Sequence, residues 1–212
     1  FDSTVGWRFE NPKMNKICPI VSLGETAENI AEECNISREE QDQFSIESQQ
    51  KAINGINDGK FKNEIWPISI PQRKGDPILV NTDEHPRYIK QDGKYKINLT
   101  LEKLLSLKPV FRNNGTVTAG NSSGINDGAA AVLLMSREKA DELGLKPLAR
   151  WVGSAIAGVD PGVMGYGPVP STQKLLSRFN IPLEGIDLIE LNEAFAAQAI
   201  GVIKKLNLDP KK

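Results

Sequence analysis

Histidine occurs once in this sequence, at His85, and cysteine twice, at Cys18 and Cys34. No Cys/His cluster has metal-ligand spacing, which sets zinc chemistry aside. Two cysteines in a chain of 212 residues make no disulfide framework, and they read as reduced thiols in a cytoplasmic setting. Charge of one sign is also missing. Lys and Arg number 26 against 27 Asp and Glu, so the broad basic face that non-specific nucleic-acid binding requires is absent. No apolar run approaches the ~20 residues needed to span a bilayer, so neither nucleic acid nor membrane is an expected partner. Nor is there an initiating methionine. Phe1 followed by Asp2-Ser3-Thr4, without a signal-like apolar stretch, reads as the middle of a longer polypeptide.

What is present divides into two textures. Between Glu25 and Lys60 nine acids face three bases, a pattern that reads as a solvated helical face. Residues 25–33 are good helix formers, and Ser37-Arg38-Glu39-Glu40 is a capping box that should open a second helix, stopped by Asp58-Gly59. Phe44, Ser48, Ala52 and Ile56 recur every fourth residue on one face of it. Residues 64–81 give two short β-prone runs around a turn at Lys74-Gly75-Asp76, with prolines that suit edge strands. From His85 to Arg112 seven bases meet two acids, with Tyr88 and Tyr95 interleaved. That stretch is either a phosphate-attracting patch or a lysine-rich solvated loop.

The second half is rich in Gly, Ala and aliphatics. Residues 129–136, 148–157 and 187–191 read as buried strands, and residues 137–143, 171–179 and 194–206 as helices. Strands alternating with helices imply an α/β layer with a mainly parallel sheet. Two segments are too unusual for plain scaffold. Residues 115–131 (GTVTAGNSSGINDGAAA) carry small and short polar side chains, through which a narrow ligand arm could pass, or which form a domain-joining loop. In residues 187–197 (DLIELNEAFAA) an apolar run meets Asn192-Glu193 and then a helix. Asn192 there is either an N-cap or a donor placed for developing negative charge.

These residues fall into blocks that resemble the thiolases, CoA-dependent acyltransferases. The matching blocks are Leu23-Gly24-Glu25-Thr26-Ala27-Glu28-Asn29-Ile30, Ser37-Arg38-Glu39-Glu40-Gln41-Asp42, Gly115-Thr116-Val117-Thr118-Ala119-Gly120-Asn121, Gly124-Ile125-Asn126-Asp127-Gly128-Ala129-Ala130, Gly158-Val159-Asp160-Pro161, Met164-Gly165, Gly167-Pro168 and Asn192-Glu193-Ala194-Phe195-Ala196-Ala197-Gln198. The early runs Gly6-Trp7-Arg8-Phe9 and Asn11-Pro12-Lys13-Met14 are similar to the subgroup that includes 3-oxoadipyl-CoA thiolases. The resemblance implies a layered α/β/α fold. Residues 1–122 would be a CoA-binding loop domain, incomplete at its start, and residues 123–212 the first part of the C-terminal domain. It further implies coenzyme A and acyl-CoA as substrates, no separate cofactor, and a homodimer or homotetramer.

Carried over residue by residue, the resemblance gives Asn192 a water that stabilises the thioester enolate together with a histidine. Ser123 and Ala119 contact the CoA arm, Arg87 and Phe111 its nucleotide end, Met164 and Leu23 the acyl pocket, and Ala194 and Phe195 the surroundings of the reacting thioester. Ser22-Leu23 departs from the family's usual His or Ala followed by Met, and an extra stretch lies between Arg87 and Thr100. The family's nucleophilic cysteine block, its Gly-His-Pro and its final cysteine motif have no counterpart here, and Cys18 and Cys34 match none of them. The expectation is therefore a thiolase when complete and an inactive segment alone. The alternative is a non-catalytic CoA- or acyl-binding protein derived from one.

Overall fold

The computed structural model describes residues 9–18 and 20–212. Phe1, the Gly6-Trp7-Arg8 part of the early run and Pro19 lie outside the described residues. The first half forms α1 (Pro12–Asn15), α2 (Leu23–Glu33), α3 (Arg38–Asn57), strands β1 (Ile68–Ile70), β2 (Ile78–Val80), β3 (Tyr88–Gln91) and β4 (Lys94–Ile97), and α4 (Leu101–Leu105). The second half forms α5 (Arg137–Glu142), a 3-10 segment Pro161–Tyr166, α6 (Pro168–Phe179), a 3-10 turn Leu183–Gly185 and α7 (Ala196–Leu206).

Local chemistry accounts for most of the helix boundaries. The hydroxyls of Ser22, Ser37, Thr100 and Ser136 each accept from the backbone N–H three residues on, at 3.1–3.3 Å, filling donors a first turn leaves free. Asn180 and Asn207 close α6 and α7 in the left-handed region, which asparagine tolerates. The expected capping box is half made. Ser37 caps, but the Glu40 carboxylate pairs with Lys204 of α7 at 2.9 Å.

The core lies where α2, the 3-10 segment Pro161–Tyr166 and α7 meet. Ala27, Ile30, Ala31, Ile36, Val117, Tyr166, Ala197 and Ile200 form one buried cluster. Gly201 lets α7 approach α2 closely, since a Cβ there would sit 2.6 Å from Ile30 Cγ2. On α3 the buried positions are Gln41, Asp42, Ser45, Ile53 and Gly55. The expected Phe44, Ser48, Ala52 and Ile56 stripe is only half-buried, because the helix turns its polar Gln41 and Asp42 inward to a loop rather than its aliphatics to a sheet.

Two further expectations change. The basic stretch after His85 is a hairpin, β3 paired antiparallel with β4 in the register Tyr88 to Ile97 and Gln91 to Lys94. Its two-residue turn, Asp92-Gly93, has positive φ at both residues (52° and 77°), the geometry that matches strand twist. Asn57 at the end of α3 holds it twice, donating to Tyr95 O at 2.8 Å and accepting from Tyr95 N at 2.9 Å. The segments 129–136, 148–157 and 187–191, expected as strands of a parallel sheet, carry no regular element. The only sheets among the described residues are the antiparallel pairs β1–β2 and β3–β4. The physical reason is that a strand needs a partner. Ile189 N reaches Lys212 O, but Val132, Leu134 and Leu188 stand about four-fifths exposed, with no layer over them (85%, 78% and 83%).

Candidate active site

Two adjoining cavities lie beside the end of the 187–191 segment. The apolar one, of about 210 Å³, is lined by Leu23, Thr26, Ala27 and Ile30 of α2, by Met164 and Gly165, and by Asn192, Ala194, Phe195 and Gln198. The polar one, of about 360 Å³, includes Ser48, Gln49, His85, Ser122, Ser123, Glu190, Asn192 and Glu193. Asn192 belongs to both. It is exposed, and it does not cap α7, whose N-cap is Phe195; the plain helix-cap reading of this residue is thereby corrected.

The turn carrying Asn192 is held from two sides. Ser123 N donates to Ala194 O and Ala196 N to Asn121 O, both at 2.9 Å, and Ser122 bridges Phe195. From α3, Ser48 donates to the Glu193 carboxylate at 2.5 Å. The 115–123 loop is in turn held by two buried acids. Glu28, 3% exposed, accepts from the N–H and hydroxyl of Thr116 and from Val117 N at 2.8–3.0 Å. Asp42 accepts from Asn121 Nδ2 at 2.9 Å and from Arg38 Nε at 2.7 Å. Asn121 closes the loop on itself, accepting from Thr118 N at 2.8 Å. Gly115 is required beneath this clamp, because a Cβ would fall 2.1 Å from Glu28 Oε1.

Of the residues nominated from the sequence, Leu23, Met164, Asn192, Ala194 and Phe195 converge on the apolar cavity, and Ser123 joins Asn192 at the polar one. Phe111 stands edge-on to Phe195, with ring centroids 6.1 Å apart, and packs on Gly24. Arg87 and Ala119 line neither cavity but meet each other, Arg87 Nη2 lying 3.5 Å from Ala119 O. His85, grouped by sequence with the nucleotide-end loop, instead packs on Gly124 and lines the polar cavity. The acids of α2 and α3 are not all a solvated face, since Glu28 and Asp42 are buried clamps. Their partners in the loop lie 79 to 89 residues away, and no local spacing signals that; only the Arg38 contact of Asp42 is local.

Cys34, the C-cap of α2, shares a 3.0 Å hydrogen bond with the Tyr166 hydroxyl. Burial, with that bond, pushes the Tyr166 phenol well above the ordinary tyrosine range. No cysteine lines either cavity. No group of three His, Cys, Asp or Glu side chains suited to a metal occurs among the described residues, and no helix among them is long and apolar enough to cross a membrane.

Two family models match, the thiolase N-terminal domain over residues 12–138 and the thiolase C-terminal domain over residues 145–212. The chain is 47% identical over 207 residues to a β-ketoadipyl-CoA thiolase of Acinetobacter baylyi, covering 98% of this chain and 49% of that protein. It is 54% identical over 184 residues to an acetyl-CoA acetyltransferase of Chromobacterium violaceum, covering 87% and 45%. Among solved structures it is similar to the Bacillus anthracis acetyl-CoA acetyltransferase, with a TM-score of 0.85, 45% identity and coverage of 98% and 52%. The human mitochondrial 3-ketoacyl-CoA thiolase in complex with CoA gives a TM-score of 0.81 and 40% identity, with coverage of 91% and 45%. These superpositions establish the layered α/β fold of such proteins for this chain, which spans about half the length of the curated relatives it matches.

Proposed function

The chain belongs to the thiolase family, and on that premise we propose that it is part of an acyltransferase exchanging acetyl groups between coenzyme A thioesters. The reaction is 3-oxoacyl-CoA plus CoA to acyl-CoA plus acetyl-CoA, or its reverse. In the cleavage direction a cysteine thiolate adds to the 3-oxo carbonyl and the C2–C3 bond breaks. The departing acetyl-CoA enolate takes a proton, and the thiol of a second CoA then accepts the acyl group from the cysteine. That cysteine and the assisting histidine have no counterpart in residues 1–212, so the activity proposed is that of the whole protein. The finer assignments belong to the same reading: residues 1–122 for CoA and 123–212 for the reacting thioester, no cofactor besides the CoA substrate, a homodimer or homotetramer, and a cytoplasmic setting.

The observation that supports this reading is the placement of Asn192 on the shared wall of an apolar and a polar cavity. An acyl chain seated against Leu23, Met164, Ala194 and Phe195 would bring its thioester carbonyl to Asn192. There a donor, directly or through a water, meets the oxygen as enolate charge develops. Ser123 and Ala119 would lie along the pantetheine arm, with Phe111 and Arg87 toward the nucleotide.

The test is thiolysis of acetoacetyl-CoA by free CoA in the full-length polypeptide that carries this segment. Asn192→Ala should lower kcat about 10²–10³-fold, the usual cost of one oxyanion donor, with KM nearly unchanged. A rise in KM at unchanged kcat would remove Asn192 from that role. CoA binding by the full-length wild type without turnover would instead identify the non-catalytic binder.

A further inference from the structure

The width of the apolar cavity depends on how closely the 3-10 segment Pro161–Tyr166, which carries Met164, sits against α2. Tyr166 ties the end of the segment to α2 through Cys34 and the core, and two further contacts set the distance nearer the cavity. At one end Asn29 of α2 donates from Nδ2 to Gly162 O at 2.8 Å, across 133 residues of sequence. At the other, Gly165 lies so close that a Cβ would fall 2.6 Å from Gln198 Cγ and 2.8 Å from Ile30 Cδ1.

Asn29 is itself oriented. Its Oδ1 accepts from Arg112 Nη2 at 2.5 Å. Arg112 has only donors and the Gly162 carbonyl only accepts, so the amide of Asn29 can face them in one sense alone. Arg112 is anchored independently by Glu25 at 2.7 Å and Glu32 at 3.2 Å. Gly162 is held from its own side too, its N–H donating to Asp160 Oδ1 at 2.7 Å. The result is a relay from Arg112 through Asn29 to the backbone that carries Met164.

We propose that Asn29 is a positioning residue that sets which acyl groups the apolar cavity accepts, by tying the Met164 segment to α2. The inference rests on the acyltransferase reading above. At about 210 Å³ the cavity falls below the ~300–1,000 Å³ of sites that enclose whole small molecules. The class it takes is the short unbranched acyl chain alone, with the rest of the thioester outside. Releasing the segment admits longer chains.

The test is Asn29→Asp in the full-length polypeptide. The substitution is isosteric and keeps the Arg112 contact, but it turns a carboxylate oxygen toward the Gly162 carbonyl. The preference for acetoacetyl-CoA over 3-oxohexanoyl-CoA, as a ratio of kcat/KM, should fall by about three- to tenfold, the equivalent of one net hydrogen bond. Hydrogen exchange over residues 160–167 should rise while residues 23–33 stay protected. Asn29→Ala, which introduces no charge, should do the same and serves if the aspartate variant does not fold. An unchanged ratio in an active, folded variant overturns the inference, whether or not exchange rises, and so does an equal loss on both substrates. A wild-type protein that turns over neither substrate defeats the acyltransferase reading and the inference with it. Failure of the inference alone therefore shows as an active wild type with indifferent variants.

Discussion

Glu28 carries more structural consequence than any other acid of α2. Its carboxylate is buried and fills both oxygens with donors of Thr116 and Val117. Glu28→Ala removes both oxygens and leaves the buried N–H groups of Thr116 and Val117 without an acceptor, at a cost of about 1.5–3 kcal/mol for a bond to a charged group. Urea unfolding should register this as a lower midpoint at unchanged m-value, and an unaltered midpoint would show that the clamp contributes nothing. Tyr166 makes a second prediction, one of pH. Burial, together with the Cys34 hydrogen bond, raises its phenol above the ordinary range, so the folded protein holds a proton that the unfolded chain releases near pH ~10. The stability this contributes is complete below that pH and is lost as pH rises through it toward the folded value. Tyr166→Phe should flatten the decline of stability above about pH 10 relative to wild type; parallel curves for the two proteins would exclude Tyr166 as its source.

The β3–β4 hairpin is the element in which charge and structure meet. Lys90, Lys94 and Lys96 stand on it in a frame that Asn57 fixes to α3, and Arg87 enters it with its N–H on Gln49 Oε1 at 2.6 Å. A fixed basic hairpin beside Ala119 is suited to phosphates, whereas a floppy one would only be solvated. Affinity for CoA in the full-length protein should fall as salt rises, while affinity for a pantetheine analogue without the nucleotide should barely change. Titration calorimetry at low and high salt separates the two, and equal salt dependence for both ligands would exclude the hairpin from the nucleotide end.

For the whole 212-residue chain, the apolar segments that lack strand partners decide its behaviour by itself. Val132, Leu133, Leu134, Trp151, Ile156 and Leu188 are each 73–85% exposed, and large apolar side chains exposed in runs are a liability for association. The isolated chain should bind anilinonaphthalene sulfonate and should not turn over acetoacetyl-CoA with free CoA, since no thiol lines either cavity. Turnover, or an acyl label on Cys18 or Cys34, would overturn that expectation. The start of α3 at Ser37, the short helix from Arg137, the β1–β2 turn around Gly75 and the sequence blocks that carry Asn192 and Met164 were legible in the sequence. Each rests on neighbours within a few positions, or on a motif that keeps its residues together. The burial of Glu28 and Asp42, the placement of His85 on the wall of the polar cavity that Asn192 also lines, the relay through Asn29 and the missing ladder at 129–136 were not. Each depends on which distant segment lies alongside, and charge, spacing and hydrophobicity are local quantities that do not name that partner. The sequence by itself determined the cap at Ser37, the turn at Gly75 and the residue types offered to the two cavities. Only the tertiary structure decided which acids clamp a loop and which apolar runs become strands, because a buried charge and a strand both exist only when a second segment supplies their hydrogen bonds.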